Sequence, residues 1–346
     1  MKKWALIFQI AFTFVGTIVG AGFATGQEII QFFTRYGWMA TWTILLSTAL
    51  FIGVGTKLMT LSADLNARSY EDLNRHLFGK RWGKPFSLFM LVMLLGTSTV
   101  MLAGAGSVFS EHLGMPYQIG LFITIALAYV LLINGLSAII AVNSFVVPFM
   151  ILCSGLAVFS ILDTSGSITW SGGSEDYPIL RLWTAPLLYT AFNLATAQAV
   201  LVPLGSTVKD KSIIRWGVAL GGLVIGAMLL AGHFALSARM PAIAGFEIPM
   251  GNIIGNLGRT VQWMYLLVIY GEIFTTFIAD VYGLALQIQQ RTNWSMTSIL
   301  AGIMVLTYLF GQIGFSSLLS TLYPLFGMVS MIWFTIIIWR DRVMPN

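Results

Sequence analysis

Gly16-Thr17-Ile18-Val19-Gly20-Ala21-Gly22-Phe23-Ala24-Thr25-Gly26-Gln27-Glu28 is the stretch on which the reading of this chain turns. Four glycines, Gly16, Gly20, Gly22 and Gly26, fall within eleven residues of an otherwise apolar run. Each costs a helix roughly 1 kcal/mol against alanine. Backbone opened at mid-membrane is tolerated only where it is buried in protein or lines a cavity. An unwound stretch here would offer amides at the start of an outer half-helix and carbonyls at the end of an inner one. Read as Gly16-x-x-x-Gly20 and Gly22-x-x-x-Gly26, the same residues also suit plain close packing of helices. Taken alone, this one span favours the packing reading.

The surrounding composition fixes the solvent. Hydrophobic residues make up 57% of the 346, charged ones 9%, and the mean hydropathy is +0.85. A soluble domain carries roughly 25% charged residues, so an ordinary water-facing surface cannot be built. The 35 glycines fit helices that approach closely in lipid. A pI near 9.3 does not point to nucleic acid, because the cations sit in short segments between apolar runs. The single cysteine, Cys153, lies in an apolar run, which leaves no disulfide framework and no thiol metal site. Lys2 and Lys3 before an apolar stretch resemble a signal peptide, but the run is too long and lacks a cleavage site. A retained first helix is expected.

At about 20 apolar residues per crossing, ten spans are expected: 5–34, 38–60, 86–110, 117–134, 139–161, 182–204, 216–238, 260–288, 294–311 and 314–338. Polar loops are expected at 62–84, 162–181, 205–215 and 239–258. The runs are longer than barrel strands and do not alternate. With both termini inside, all but Arg35, Arg181, Arg239 and Arg259 of the 18 Lys and Arg fall on the cytoplasmic side. A plasma-membrane protein of bacterial type follows.

A repeat organises these spans. Phe23-Ala24-Thr25-Gly26-Gln27 in the first is echoed by Leu194-Ala195-Thr196-Ala197-Gln198 in the sixth, 171 residues on. The same offset carries spans two to five onto seven to ten within several residues. Five is odd, so the second copy enters from the opposite side and the repeat is inverted. The expected division is 1–161, an external loop 162–181, and 182–346. In the sixth span Tyr189, Thr190, Phe192, Asn193 and Thr196 lie at the depth of the glycine-rich stretch, with Pro203 and Gly205 expected to end it. Two interrupted helices at matching positions of two halves point to a binding site. A break is therefore expected within Val19–Phe23 and another within Phe192–Ala195.

Further polar groups lie in the apolar spans. Glu272, Thr276 and Asp280 recur every four residues, a stripe on one helix face, with Thr275 beside it. Intramembrane carboxylates are expected to face the interior and find partners, although a threonine hydroxyl can satisfy its own helix and Asp280 also suits a structural role. Glu28 is expected either in a first helical turn or in the outer pathway. His233 and Trp183 read as packing or belt residues. No Ser-His-Asp set, metal-ligand spacing or phosphate loop is present, so an enzyme is not expected.

Gly16 to Phe23 resembles the first-helix signature of the amino acid–polyamine–organocation superfamily, and the fifth helix, Leu131 to Val147 with Asn134, Gly135 and Asn143, also resembles that superfamily. The fuller string to Phe33 resembles the YkvI group of bacterial membrane proteins. The resemblance implies an all-α LeuT-type fold with helices 1 and 6 broken around a central site. It also implies alternating access, with helices 1, 2, 6 and 7 rocking on a scaffold. By position it places a sodium ion on Gly16, Val19, Glu272, Thr275 and Thr276. A substrate carboxylate falls on the amides of Ala21, Gly22 and Phe23, with Phe192 and Asn193 at the second break; Tyr189 and Thr196 complete the candidate pocket. An acid at 272 departs from sodium-coupled members, so Glu272, Asp280 and Glu28 are also candidate proton carriers.

The expected function is sodium-coupled import of a small amino acid or related solute. Proton coupling, a transporter-fold sensor and an uncoupled channel are the competing readings. No organic cofactor, nucleic acid or obligate protein partner is expected; the small solute and the lipid bilayer are.

Overall fold

The computed structural model describes residues 2–67, 69–133, 178–208, 210–255, 258–289 and 291–339. Every regular element among them is helical. The fifth expected span, with Asn134, Gly135, Asn143 and Cys153, and most of the 162–181 loop lie outside the described residues.

The glycine-rich stretch breaks its helix. α1 (Lys2–Ile18) stops, Gly20 is extended at φ −110° and ψ −167°, and the chain resumes as α2 (Ala21–Thr25). Gly26 then turns left-handed at φ 88°, a region that glycine enters without steric cost, and α3 (Gln27–Phe32) follows. Thr17 Oγ1 donates to the Thr13 carbonyl at 2.9 Å near the end of α1.

The remaining spans are α4 (Ala40–Leu65), α5 (Tyr70–His112), α6 (Tyr117–Ile133), α7 (Ile179–Thr207), α8 (Lys211–Ser237), the short α9 (Pro249–Gly255), α10 (Arg259–Gln289), α11 (Met296–Gly311) and α12 (Phe315–Trp339). Among the described residues six helices are long and apolar enough to cross a membrane, and three apolar helices are shorter. Shifting α4 by 171 residues carries Ala40 onto Lys211, where α8 begins.

Two sequence expectations are corrected. The sixth span is not broken: α7 is a single helix through Phe192–Ala195 and past Pro203. Its polar side chains bond to their own helix instead. Asn193 Nδ2 donates to the Tyr189 carbonyl at 3.0 Å, and Thr196 Oγ1 to the Asn193 carbonyl at 2.9 Å. Such bonds occupy carbonyls of the preceding turn without unwinding the helix. The expected polar loops 62–84, 205–215 and 239–258 are also largely helical where they are described. In 62–84, Ser69 caps α5: its Oγ accepts from the Asp72 amide at 3.3 Å while Asp72 Oδ2 accepts from the Ser69 amide at 3.1 Å. That reciprocal box makes a polar segment helical, with Gly79, at φ 72°, dividing it from the apolar part of α5. Segment 205–215 shrinks to a short link between Thr207 and Lys211, and 239–258 contains α9.

The helices pack in two groups. α1, α4, α7 and α8 form one; α5, α6, α10 and α11 form the other; α12 lies against both α7 and α5. Small residues permit the close approaches, as lipid-embedded helices require. At Gly205 an added β-carbon would lie 2.6 Å from the Met59 carbonyl oxygen, and at Gly221 3.0 Å from that of Ala11.

Candidate functional site

A cavity of about 830 Å³ runs between the two groups, beginning at the break in the first span. Gly20, Ala21 and Gly22 form its wall there, facing Phe192, Asn193 and Thr196 of α7. Nothing lies within 4 Å of the place a β-carbon on Gly20 would take, so this residue borders open space. Gly22 is different. A β-carbon there would lie 2.2 Å from Glu28 Oε1. The αL turn at Gly26 reverses the chain just enough to lay the Glu28 side chain back over the break.

Glu28 is 4% exposed and lines the cavity, and its Oε2 has no hydrogen-bond partner. The Tyr189 hydroxyl lies close enough to this carboxyl to interact with it electrostatically. Glu272 of α10 is 3% exposed, also lines the cavity, and leaves Oε1 without a partner. Leaving a buried polar atom unmade costs about 1–3 kcal/mol, more for a charged group. Two such carboxyls around one cavity are therefore expensive unless something enters to meet them. Asp280, about two turns further along α10, accepts from Thr97 Oγ1 at 2.5 Å and is thereby tied to α5.

The far end of the cavity is sealed. Tyr265 Oη donates to the Ala24 carbonyl at 3.0 Å, and Gln27 Nε2 to the Phe246 carbonyl at 2.5 Å. Behind Glu28, Tyr189 packs tilted against Phe32 and edge-on against Phe33 and Phe51, at 5.3, 5.0 and 5.9 Å between ring centres. Glu111 accepts from the amides of Glu247 and Ile248 at 2.7 and 2.9 Å, fixing the segment before α9 across this end. At the opposite end the lining includes exposed residues, Phe12 and Val200 among them. Tyr70 and Gln287, hydrogen-bonded to each other, stand at that mouth.

The sequence candidates sort accordingly. Gly16, Ala21, Gly22, Glu28, Phe192, Asn193, Thr196, Glu272, Thr275, Thr276 and Asp280 all border this one cavity. Val19, Phe23 and Tyr189 do not; they are buried beside or behind it. Thr275 Oγ1 donates to the Glu272 carbonyl at 3.1 Å, so its oxygen remains able to accept or ligate. His233 sits in a buried contact with Thr34 and Ser237, away from the cavity lining.

Sequence reading missed two residues. Tyr323 of α12 lines the cavity, its ring tilted by 37° against that of Phe192 at 4.4 Å between ring centres. Thr97 holds Asp280. The signal for Thr97 was the polar run Gly96-Thr97-Ser98-Thr99 inside an apolar span; Tyr323 carried none beyond its neighbour Pro324.

For a cation, the donors fit: buried carboxyl oxygens without partners, two hydroxyls, and the α1 end near Gly16 share one cavity. Among the described residues no group of three or more His, Cys, Asp or Glu could hold a metal ion in the manner of a dedicated metal centre.

No protein-family model matches the chain. The uncharacterized membrane protein YkvI of Bacillus subtilis (strain 168) is 41% identical over 327 residues, which is 93% of this chain and 92% of the relative. The uncharacterized protein YyaD of the same organism is 26% identical over 330 residues, 95% of this chain and 93% of the relative. Among solved structures, MhsT in complex with L-phenylalanine superposes with a TM-score of 0.70 over 96% of this chain and 89% of that one, at 15% identity. Mhp1, a nucleobase-cation-symport-1 family transporter in a closed conformation with bromovinylhydantoin bound, gives 0.61 over 92% and 74%, at 14% identity. These likenesses establish the LeuT-type fold, and the relationship to YkvI establishes the lineage: the chain belongs to the YkvI family of membrane proteins.

Proposed function

We propose that this protein is a secondary active transporter importing a small amino acid or related organic solute by alternating access, with sodium as the coupling ion. One observation carries the reading: a cavity beside a broken helix, open at one end, sealed at the other, and lined by buried carboxyls without partners. A cavity sealed at one face is half of an alternating-access cycle. The two-group packing supports a rocking motion of α1, α4, α7 and α8 against α5, α6, α10 and α11.

In this reading the two halves are the inverted repeats 1–161 and 182–346, and the open mouth at Tyr70 and Gln287 faces the cytoplasm with both termini. Opening the outer face requires breaking the Tyr265–Ala24 and Gln27–Phe246 bonds. Sodium is held by Glu272, Thr275, Thr276 and the end of α1 near Gly16. A bare cation takes oxygen ligands, and a full negative charge in low dielectric strengthens the attraction. Sodium then neutralises Glu272 and draws α1 toward α10, which couples ion binding to closure of the mouth. Val19, from its buried position, contributes only if that closure brings its carbonyl round.

The test is uptake of labelled small amino acids and amines into proteoliposomes with and without an inward sodium gradient, in wild type, Thr276→Ala and Glu272→Gln. Sodium-driven accumulation that Thr276→Ala blunts supports the reading. Accumulation driven by a proton gradient and abolished in Glu272→Gln transfers the coupling to protons through Glu272 and Asp280. Binding without flux would make the protein a sensor.

A further inference from the structure

Among the described residues three carboxyls line the cavity, Glu28, Glu272 and Asp280, and no Lys, Arg or His does. Glu28 and Glu272 are each more than nine-tenths buried with an oxygen unpartnered and bordering the cavity. The place by Gly22, where the superfamily resemblance puts a substrate carboxylate, already holds the chain's own Glu28 carboxyl. Next to it Phe192 and Tyr323, their ring centres 4.4 Å apart and their planes tilted by 37°, line the same space.

We propose that the substrate is a small organic ammonium ion, whose charged nitrogen is held by Glu28 against the faces of Phe192 and Tyr323. This rests on the transporter reading and narrows its substrate class. The physical case has three parts. A buried carboxylate is satisfied by a cation that donates hydrogen bonds to it, and such charge-assisted bonds are the strong ones. An aromatic face attracts the same cation through its quadrupole, most strongly when water is excluded. A carboxylate on the substrate, in contrast, would add a fourth acid to a cavity that has no cationic side chain to pair with it. The Glu28 carboxyl thus does for this site what a substrate's own carboxylate would otherwise do: it covers the opened backbone at Gly22. The remaining acids, Glu272 and Asp280, face the cavity from α10 and stay available to the coupling cation.

The experiment measures thermal unfolding of the full-length protein in detergent with propylamine, ethanolamine, alanine and propionate at matched ionic strength. It is done in wild type, Glu28→Gln and Phe192→Leu. The two amines raise the unfolding temperature of wild type, propionate does not, and alanine does so less than propylamine. Glu28→Gln weakens the amine response by about tenfold in concentration or more, and Phe192→Leu by a smaller factor. Alanine matching propylamine, or an absent amine response, overturns the proposal on wild type alone, whatever the variants do. A Glu28→Gln protein that folds and keeps the full amine response overturns it as well. Flux separates this inference from the reading beneath it. Transport of alanine but not propylamine sinks the ammonium site and leaves a transporter; amine binding with no solute carried sinks the transporter and leaves the site.

Discussion

Glu28 lies against Gly22 so closely that the carboxyl oxygen Oε1 occupies the ground a side chain at 22 would need. Two residues six apart in one expected span meet because the αL turn at Gly26 folds α3 back beside α2. Plain steric blocking of a ligand's polar group is therefore an incomplete account of why residue 22 must be small, since the first obstacle a side chain meets is the protein's own acid.

Gly22→Ala is predicted to destabilise by about 1–3 kcal/mol, the usual range for an overpacked buried site. Gly20→Ala, with extended φ and open space beside it, is predicted to be nearly neutral. The combination Gly22→Ala with Glu28→Ala recovers most of the single-variant loss, because the clash partner is gone. Chemical unfolding of the four proteins measures this cycle; simple additivity of the two losses would show that the pair does not touch.

The topology test needs new positions. Asn74, an obvious choice within a polar segment, is buried, and its Oδ1 accepts from Trp333 Nε1 at 3.1 Å. Arg75 is exposed at that end and Ala244 at the sealed end. In a Cys153→Ser background, Arg75→Cys is predicted to react with a membrane-impermeant maleimide only from the cytoplasmic side. Ala244→Cys is predicted to react only from outside. Both reacting from one side would break the proposed arrangement of the spans.

Asp210 gives the pH prediction. It caps α8, its Oδ1 accepting from the Ser212 amide at 2.8 Å, with Lys3 3.6 Å from Oδ2. That amide, and then the lysine, hold its pKa below the ordinary aspartate value of 3.8. A carboxyl with a lowered folded-state pKa stabilises above its unfolded pKa and loses that contribution as pH falls through the folded value. The stability advantage of wild type over Asp210→Ala should accordingly be constant near neutrality and shrink below about pH 4. Thermal unfolding of both proteins across that range is the measurement. An advantage that grows on acidification would contradict the cap.

The membrane environment, the helical class, the break in the first span and the grouping of Glu272, Thr276 and Asp280 on one face were legible in the sequence. Each depends on local or periodic facts: apolar length, glycine in a helix, and a spacing of four. The cap that Ser69 and Asp72 form was not read from the sequence, because the polarity of 62–84 suggested a loop. The unbroken α7 was not legible, because Asn193 and Thr196 look alike whether they line an unwound segment or bond back to the carbonyls of Tyr189 and Asn193. Only three-dimensional packing chooses between those.

What the tertiary structure alone decided is the company each acid keeps. Composition counts carboxyls, but it cannot say that Glu28 shares one cavity with Glu272 and Asp280, that Thr97 takes Asp280, or that Tyr323 arrives from the last helix to pack on Phe192. Thr97 and Asp280 are 183 residues apart in the chain, and the meeting of such distant residues follows from how two groups of helices pack, a non-local outcome that short-range periodicity does not encode. The sequence by itself determined that buried acids exist in a bilayer and must find partners. The fold determined that two of them keep an oxygen free toward a common cavity, because among the described residues no basic side chain borders it.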